Sequence, residues 1–342
     1  MDDFLQEKYS RQILFEGIGL GGQQRLLGVS AVVAGCGAIG AAAANLLVRA
    51  GVGRVRIVDR DFVEPSNLQR QILFDESDAR EALPKAVAAE RKLRGINSSV
   101  SIEGLVADIN PRNVEELLNN FDVILDGTDN FETRFLMNDF AVKFDKPWIY
   151  GAAVASYGLT MTVQPGKNAC LACLLDGGDA VTGMEDTCDT VGVVGPIVNL
   201  VASLQVAEAM KLLSGHHEAL NGRLITADAW SGHFQSIHVD RNPDCQCCGR
   251  HDFSYLEGQA QPHITMCGRD SVQIHEHNRA LDLGALRQRL SRTVTGIRQN
   301  DFLLRFHIAP YEMTVFCDGR AIVKGTTDAA VARSLYARYI GA

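Results

Sequence analysis

The sequence predicts an α/β protein with a doubly wound, mostly parallel sheet, followed by a small C-terminal α+β domain. Strands and helices alternate through the first half, which is typical of a parallel sheet covered on both faces. A glycine-rich turn joins the first predicted strand to the first long helix, and ligands of such sheets bind beyond the carboxyl ends of the strands. A length of 342 residues suits about two domains.

The elements of the first domain follow this alternation. Strands are predicted at 30–35, 54–59, 99–105, 122–128, 146–153, 224–228 and 233–239, and helices at 38–49 and 84–94. The apolar segment 196–213 is predicted to be a buried helix rather than a membrane span, because polar residues such as Asn199 and Glu208 interrupt it. Pro196 near its start and Gly215 after its end are typical helix boundaries.

Two further regions have a different character. Residues 166–190 are rich in Gly, Asp and Cys with weak periodicity, which predicts a long crossover loop. After a linker at 258–263, the sequence predicts a helix at 280–290, strands at 302–308, 313–318 and 320–325, and a last helix at 329–340. Asp318-Gly319 is typical of a hairpin turn, and Thr327 or Asp328 could cap the last helix. We therefore expect domains at 1–257 and 258–342.

Composition excludes several classes of protein. Acidic residues outnumber basic ones 41 to 33, so a general nucleic-acid surface is not expected. Residues 1–7 are acidic and polar rather than a secretory leader, and we expect no membrane association and a cytoplasmic location. Nine cysteines in a long chain favour metal ligands or a reactive thiol over a disulfide scaffold.

A nucleotide site is predicted at the glycine-rich turn. Gly35, Gly37 and Gly40 form GxGxxG between a predicted strand and a predicted helix, which is the context that this motif requires. Such a turn lets backbone N–H groups approach a phosphate at the helix N-terminus. Asp59 ends the next strand, where an acidic side chain accepts hydrogen bonds from ribose hydroxyls. By itself the pattern predicts an adenine nucleotide, NAD being the commoner one, with a plain glycine turn as the alternative.

The residues after Asp59 favour a triphosphate. A polar loop there carries Asn67, Arg70 and Gln71, and the chain adds Arg11, Lys85 and the acidic pair Asp126 and Asp129. Arginine and lysine suit the charge of a triphosphate. A carboxylate beyond a strand end suits Mg²⁺, which takes carboxylate and phosphate oxygens.

The segments GCGAIG, DRDFVEPSNLQRQ, LPKA and DGTDN, in this order, resemble the ThiF/MoeB/HesA family, relatives of the ubiquitin-activating enzymes. The likeness covers roughly residues 1–250. It implies a Rossmann-like fold and ATP-dependent adenylation of the C-terminal glycine of a ubiquitin-like sulfur carrier ending in Gly-Gly, of the ThiS or MoaD kind. The pyrophosphate of ATP would be released.

The resemblance also implies roles for single residues. Asp59 would hold the ribose, with Asp61 beside it, and Asp129 would hold Mg²⁺. Arg11 would be a finger that reaches into the neighbouring subunit, which implies a homodimer. The phosphates would be held by the remaining polar residues of these motifs: Asn67, Arg70, Gln71 and Lys85.

Two CxxC pairs predict a structural Zn²⁺ site. Cys170 and Cys173 form the first, Cys245 and Cys248 the second, and four thiolates suit a closed tetrahedral zinc. Gly249 follows the second pair as in zinc knuckles, and the family resemblance supports this interpretation. A register with Cys247 in place of Cys248 and two unrelated pairs of thiols are the alternatives.

Cys188 lies in the predicted crossover loop. In ThiF-like sequences a cysteine of this loop can accept the activated carrier or join a persulfide relay, with a cysteine desulfurase or another sulfur donor as partner. A loop position favours reactivity. The neighbouring Glu185, Asp186 and Asp189 disfavour a thiolate, so a spare thiol is the alternative. Cys36, inside the glycine-rich turn, is predicted to be a small packing residue.

Four functions remain in competition at this point. The appended domain favours a ThiS-like carrier and thiamine synthesis over a MoaD-like carrier and molybdopterin synthesis. Adenylation of another peptide or carrier, as in cysteine-forming or microcin-type pathways, is the second hypothesis. A nucleotide-binding scaffold without catalysis is the third, and Arg70, Lys85 and Asp129 speak against it. An NAD-dependent oxidoreductase is the fourth, but it would leave the SNLQRQ loop without a purpose.

Overall fold

The fold is taken from a computed structural model that describes residues 3–175, 191–259, 271–274, 281–317 and 319–341. The chain forms two compact units, one of residues 1–80 and 84–261, the other of residues 81–83 and 262–342. Among the described residues, the first unit holds an eight-stranded sheet and the second a five-stranded sheet. The prediction of an α/β fold with a mostly parallel sheet is confirmed.

The eight-stranded sheet has the order β3-β2-β1-β4-β5-β6-β7-β8. Its strands are β1 Ser30–Ala34, β2 Arg54–Asp59, β3 Ser101–Val106, β4 Val123–Asp126, β5 Trp148–Val154, β6 Tyr157–Val163, β7 Leu224–Asp228 and β8 His233–Ile237. Neighbouring strands from β3 to β5 are parallel, and those from β5 to β8 are antiparallel. The order reverses at β1, which has β2 on one side and β4 on the other. Such a switch point is where sheets of this kind bind ligands.

The helices of the first unit are α1 Asp3–Lys8, α2 Ser10–Ile13, α3 Gly19–Gly28, α4 Ala38–Ala50, α5 Glu76–Glu81, α6 Lys85–Ile96, α7 Val114–Leu118, α8 Phe131–Lys143, α9 Leu171–Leu174 and α10 Gly195–Ser214. The four consecutive alanines 41–44 of α4 are fully buried, so this helix packs tightly. Its C-terminus is closed by Gly51 in the left-handed conformation. The prediction of a helix after the glycine-rich turn is confirmed.

Helix α10 is long and apolar enough to cross a membrane by length and composition. It is the predicted buried helix, and it packs against α4, β5 and β6. Gln205 in its middle is fully buried and donates hydrogen bonds to the backbone oxygens of Asp126 and Ile149. Gln205 thus binds the backbone of β4 and β5, as expected of a helix that lies in the core of the protein.

Several elements were not among the sequence predictions. Helix α8 is one, because residues 134–141 are all buried and leave little of the apolar stripe that marks a surface helix. Strand β6 and the N-terminal helices α1–α3 are others. The crossover loop predicted at 166–190 contains α9 in its first part, and residues 176–190 lie outside the described residues.

The five-stranded sheet of the second unit has the order β10-β11-β12-β13-β9 and is antiparallel. Its elements are β9 Ser271–Ile274, α11 Leu283–Leu290, β10 Thr295–Gln299, β11 Leu303–Ile308, β12 Tyr311–Phe316, β13 Ala321–Lys324 and α12 Ala329–Tyr339. One core contains Leu286, Phe306 and Tyr336. The predicted hairpin is formed by β12 and β13, and Asp328 caps α12 by accepting from two backbone N–H groups.

We expect Gly104→Ala to destabilise the first unit. A Cβ at Gly104, on β3, would lie 2.3 Å from the carbonyl oxygen of Ala86 in the first turn of α6. The helix would have to move off the strand, so the free energy of unfolding should fall by about 1–3 kcal/mol. Urea unfolding measures this change.

Gly21→Ala is the matched control, because a Cβ there, in α3, would meet nothing within 4 Å. It should leave the protein unchanged or stabilise it by up to about 1 kcal/mol. Equal stability of Gly104→Ala and the wild type would show that the packing of α6 against β3 does not require a glycine at position 104.

Candidate functional site

The glycine-rich turn and the loop after β4 touch through their backbones. Gly35 has a φ of 88°, and a Cβ there would lie 2.5 Å from the carbonyl oxygen of Gly127. A Cβ on Gly40 would lie 1.9 Å from the oxygen of Gly35, and one on Gly127 would lie 2.7 Å from the Cα of Gly40. A Cβ on Gly37 would come no closer than 3.7 Å, so space does not require glycine there.

Asp59, at the end of β2, is buried against this turn. One oxygen of its carboxylate accepts a hydrogen bond from the backbone N–H of Cys36 at 2.5 Å, and the other accepts from the N–H of Asp61 at 2.6 Å. Burial raises the pKa of Asp59, and the nearby charge of Lys85 opposes that rise. Asp59 therefore joins the end of β2 to the turn after β1.

Lys85 and Asp61 form an ion pair beside Asp59. Lys85 begins α6, and its Nζ lies 3.1 Å from Oδ2 of Asp61. Only 4% of the Lys85 side chain is exposed. The backbone N–H of Lys85 also donates to the carbonyl oxygen of Asp61 at 2.8 Å. Together with Asp59, this pair brings three of the predicted site residues to the glycine-rich turn.

Arg60 also belongs to this group, although the sequence analysis did not select it. Its guanidinium lies 2.6 Å from Asp108, which follows β3, and 3.9 Å from Asp61. Burial lowers the pKa of Arg60, but Asp108, Asp61 and Asp129 outweigh that effect and raise it. Its position directly after Asp59 was the only signal in the sequence.

The polar loop after β2 is held largely by its own contacts. Asn67 is buried, and its side-chain oxygen accepts from the N–H of Glu64 at 3.0 Å, which fixes the turn Pro65–Asn67. Arg70 donates to the carbonyl oxygen of Ser66 at 2.8 Å. Asn67 thus has a structural contact besides any contact with phosphate.

The same loop borders the N-terminus of α10. A Cβ on Gly195 would lie 3.3 Å from the carbonyl oxygen of Gln69 and 3.9 Å from the Cα of Arg70. Gln71 is buried, and its Oε1 has no hydrogen-bond partner among the described residues. A bound ligand or water could satisfy this atom.

The carboxylates Asp126 and Asp129 do not form a pair. Asp126 is buried at the end of β4 and binds Arg134 of α8 at 3.0 Å, so its charge is compensated within the protein. Asp129 is exposed in the loop that follows, and its one hydrogen bond within the described residues comes from Asn130 at 3.3 Å. Of these two carboxylates, only Asp129 lacks an ion-pair partner within the described residues.

Arg11, on α2, is exposed and makes no hydrogen bond or ion pair with the described residues. It is not among the residues that contact the glycine-rich turn. Leu14 and Phe15, which follow it, are also exposed, at 72% and 64%.

Four of the predicted cysteines form one cluster. The sulfur atoms of Cys170, Cys173, Cys245 and Cys248 lie within 4.8 Å of one another. The distances are 3.9 Å for Cys170–Cys173, 3.7 Å for Cys170–Cys245 and 3.4 Å for Cys173–Cys248. Four sulfurs bound tetrahedrally at about 2.3 Å from one zinc ion would lie about 3.8 Å apart. The donor set and its spacing therefore fit this metal.

Cys247 and Asn138 support the cluster from outside. Asn138 of α8 is fully buried, donates to the sulfur of Cys247 at 3.1 Å and accepts from the N–H of Leu171 at 2.8 Å. It thereby joins both CxxC segments. Its neighbour Asp139 accepts from the N–H groups of Tyr255 and Leu256, and burial raises the pKa of Asp139 to about 6.

Two predictions concern the other thiols. Cys36 is fully buried, and burial, followed by the charge of Asp59, raises its pKa, which fits the predicted packing role. Cys188 lies outside the described residues.

Comparisons with known proteins agree with this architecture. The family model described as "ThiF family" matches residues 9–247. The chain is 45% identical over 338 residues to the "Sulfur carrier protein ThiS adenylyltransferase" of Bacillus subtilis, covering 98% of this chain and 99% of that protein. It is 37% identical to the Escherichia coli protein of the same name, covering 72% of this chain and 96% of that one.

Solved structures are similar to about seven tenths of the chain. The crystal structure of E. coli MccB with ATP matches with a TM-score of 0.62 and 25% identity, covering 71% of this chain and 74% of that one. The residues matched by the family model include the glycine-rich turn, the loop after β2 and three of the four clustered cysteines, Cys170, Cys173 and Cys245. This chain belongs to the ThiF family.

Proposed function

We propose that this protein uses ATP to adenylate the C-terminal glycine of a ubiquitin-like sulfur carrier ending in Gly-Gly, of the ThiS kind. The observation that carries the proposal is the convergence of Lys85, Asp61 and Asp59 on the glycine-rich turn, beside the exposed carboxylate of Asp129. A relative named as a ThiS adenylyltransferase shares 45% identity over nearly the whole chain, the C-terminal unit included, which favours a ThiS-like over a MoaD-like carrier.

The reaction needs no nucleophile from the protein. The terminal carboxylate of the carrier attacks the α-phosphorus of ATP, an acyl–phosphate bond forms, and the bond to pyrophosphate breaks. Attack by a carboxylate on a polyanion is opposed by charge, so positioning and neutralisation of the phosphates carry the catalysis. In this proposal Lys85 would neutralise the phosphates from α6 and Arg70 from the loop after β2. Asp59 would hold the ribose, with Asp61 orienting Lys85.

The remaining polar residues complete the proposed nucleotide site. The buried side-chain oxygen of Gln71 has no hydrogen-bond partner within the described ranges, which suits a ligand contact. Asn67 would present its amide nitrogen to phosphate while its oxygen holds the turn. Asp129 would hold Mg²⁺, which supplies further neutralisation of the phosphate charge when bound.

We extend the proposal to the assembly. Arg11 is exposed beside Leu14 and Phe15, an arrangement that suits a homodimer in which Arg11 reaches the nucleotide of the neighbouring subunit.

The carrier would dock at β8, an edge strand whose five residues are all exposed. Phe234 on β8 and Trp230 in the turn before it are exposed, and an open strand edge can pair with a strand of another protein.

We propose a structural Zn²⁺ at the four clustered cysteines. Its thiolates come from the start of the predicted crossover loop and from residues 245–248, so the metal would pin these two segments together. Metal binding at such a site contributes folding free energy. A cytoplasmic location is consistent with this reduced cluster.

ATP–pyrophosphate exchange tests the function. We expect exchange with a carrier ending in Gly-Gly and none with the same carrier lacking its last glycine, because the attacking carboxylate is then misplaced. Asp129→Ala should lower exchange by about 100-fold or more. Glu115→Ala, an exposed carboxylate of α7, is the control and should keep full exchange. Full exchange by Asp129→Ala would reject its proposed role.

Zinc analysis of single variants tests the metal and its register. We expect one zinc per chain in the wild type, and Cys248→Ser should lose it and lower the melting temperature. Cys247→Ser should keep the metal, because Asn138 rather than the ion contacts that sulfur. Retention by Cys248→Ser with loss by Cys247→Ser would establish the other register.

Cys188→Ala separates adenylation from any later sulfur transfer. We expect pyrophosphate exchange to be intact, since the carrier's own carboxylate is the nucleophile of that step. The later step is measured by adding a sulfur donor and detecting, by mass spectrometry, the thiocarboxylate formed on the carrier. Loss of exchange in a well-folded Cys188→Ala variant would contradict this separation.

A further inference from the structure

The guanidinium of Arg134 is buried in the first turns of α8, directly behind the loop that carries Asp129. Its Nη2 donates to the carbonyl oxygen of Thr128 at 2.7 Å and to that of Gly151 at 3.2 Å. Its Nε donates to the carboxylate of Asp126 at 3.0 Å. One side chain therefore contacts the end of β4, the loop after it and the middle of β5.

The carboxylate of Asp126, which carries the opposite charge, contacts both the loop after β4 and the middle of β5. Its carboxylate accepts from the N–H and the hydroxyl of Thr128 at 2.9 and 2.7 Å, and from the N–H of Gly151 at 3.4 Å. Arg134 thus binds the carbonyl groups, and Asp126 the N–H groups, of Thr128 and Gly151. The peptide units that precede Asp129 are fixed on both sides.

The buried pair is stabilised by its surroundings. Burial lowers the pKa of Arg134, but Asp126, Tyr150 and Asp129 together outweigh this effect and raise it, so the guanidinium stays charged. The guanidinium also lies over the rings of Phe131 and Tyr150, with 5.3 and 5.4 Å to their centres. Aromatic faces favour a desolvated cation at this distance.

The side chain of Asp129 itself makes few contacts with the described residues. It is exposed, whereas Thr128 on one side is fixed by Arg134 and Asn130 on the other caps α8 by accepting from the N–H of Thr133 at 2.9 Å. The direction of the Asp129 carboxylate therefore depends on the backbone that these neighbours hold.

We propose that Arg134 is a positioning residue that orients Asp129 toward the metal-nucleotide complex by fixing the peptide units of Thr128 and Gly151. This inference rests on the proposed function, since it assumes that Asp129 binds the divalent cation. Arg134 does not touch the nucleotide or the carrier in this assignment.

Arg134→Lys tests the proposal while it keeps the charge opposite Asp126. A lysine has no planar fork that reaches Asp126, Thr128 and Gly151 together. Loss of a contact behind a metal ligand typically weakens metal affinity by about 10–100-fold. We therefore expect Arg134→Lys to raise the Mg²⁺ concentration for half-maximal pyrophosphate exchange at least about tenfold, and to weaken Mn²⁺ binding to the ATP-loaded protein, measured by electron paramagnetic resonance, to a similar extent.

Two further variants keep the test decisive. Arg80→Lys, an exposed residue paired with Glu76 on α5, is the matched control and should leave both Mg²⁺ dependence and Mn²⁺ binding unchanged. If Arg134→Lys fails to fold, Arg134→Met combined with Asp126→Asn removes both buried charges together and should show the same metal defect.

The outcomes separate the two proposals. Wild-type Mg²⁺ dependence and Mn²⁺ affinity in a folded Arg134 variant, with only a lower melting temperature, would overturn the positioning role and leave a structural one. Absence of exchange by the wild type with every carrier, while Mn²⁺ still binds with ATP in a manner sensitive to Arg134→Lys, would reject adenylation of a carrier and retain the positioning role.

Discussion

The close approach of two backbone segments, the turn after β1 and the loop after β4, is the constraint on which the site depends. Gly35, Gly40 and Gly127 contact one another at distances that leave no room for a Cβ. Because β1 and β4 are neighbouring parallel strands, their carboxyl ends meet at this point. This contact fixes the position at which α4 begins and the position of Asp129. The glycine-rich turn and the loop that carries Asp129 therefore depend on the same backbone contact.

The charges around this contact are arranged in pairs rather than left alone. Asp126 binds Arg134, Asp61 binds Lys85, and Asp108 binds Arg60, so each of these three cations has a carboxylate partner. An uncompensated buried charge is costly, whereas a pair with further hydrogen bonds is tolerated. Asp129 differs, since it is exposed and only influenced by Arg60 and Arg134 from a distance. Within the part of the chain that the structure describes, the Asp129 carboxylate has no ion-pair partner and lies at the surface.

The sequence predicts the first half of the fold well, because β1, β2 and α4 are short apolar runs separated by a glycine-rich turn. It also predicts the cysteine cluster, since two CxxC pairs carry their spacing in the sequence. It misses α8, whose buried polar residues Arg134 and Asn138 remove the apolar periodicity of a surface helix. The contacts that bury these residues join segments distant in the chain, and no local pattern records them.

The same limit applies to the acidic pair Asp126 and Asp129, whose different environments do not follow from their spacing in the sequence. Asp126 and Asp129 are three residues apart, but one ends a buried strand and the other lies in an exposed loop. Burial, which the spacing does not show, assigns one to the core and the other to the site.

The proposed contact of Lys85 with phosphate has to form while Lys85 stays paired with Asp61. Without a partner it would be a desolvated charge in the protein, and Asp61 prevents that. An ammonium group carries three N–H donors, so it can bind Asp61 and phosphate oxygens together rather than exchange one for the other. Binding of a triphosphate would then add negative charge beside Lys85 without leaving Asp61 uncompensated. A free arginine or lysine on the surface would provide the same charge, but only a residue held by α6 and Asp61 provides it in one direction.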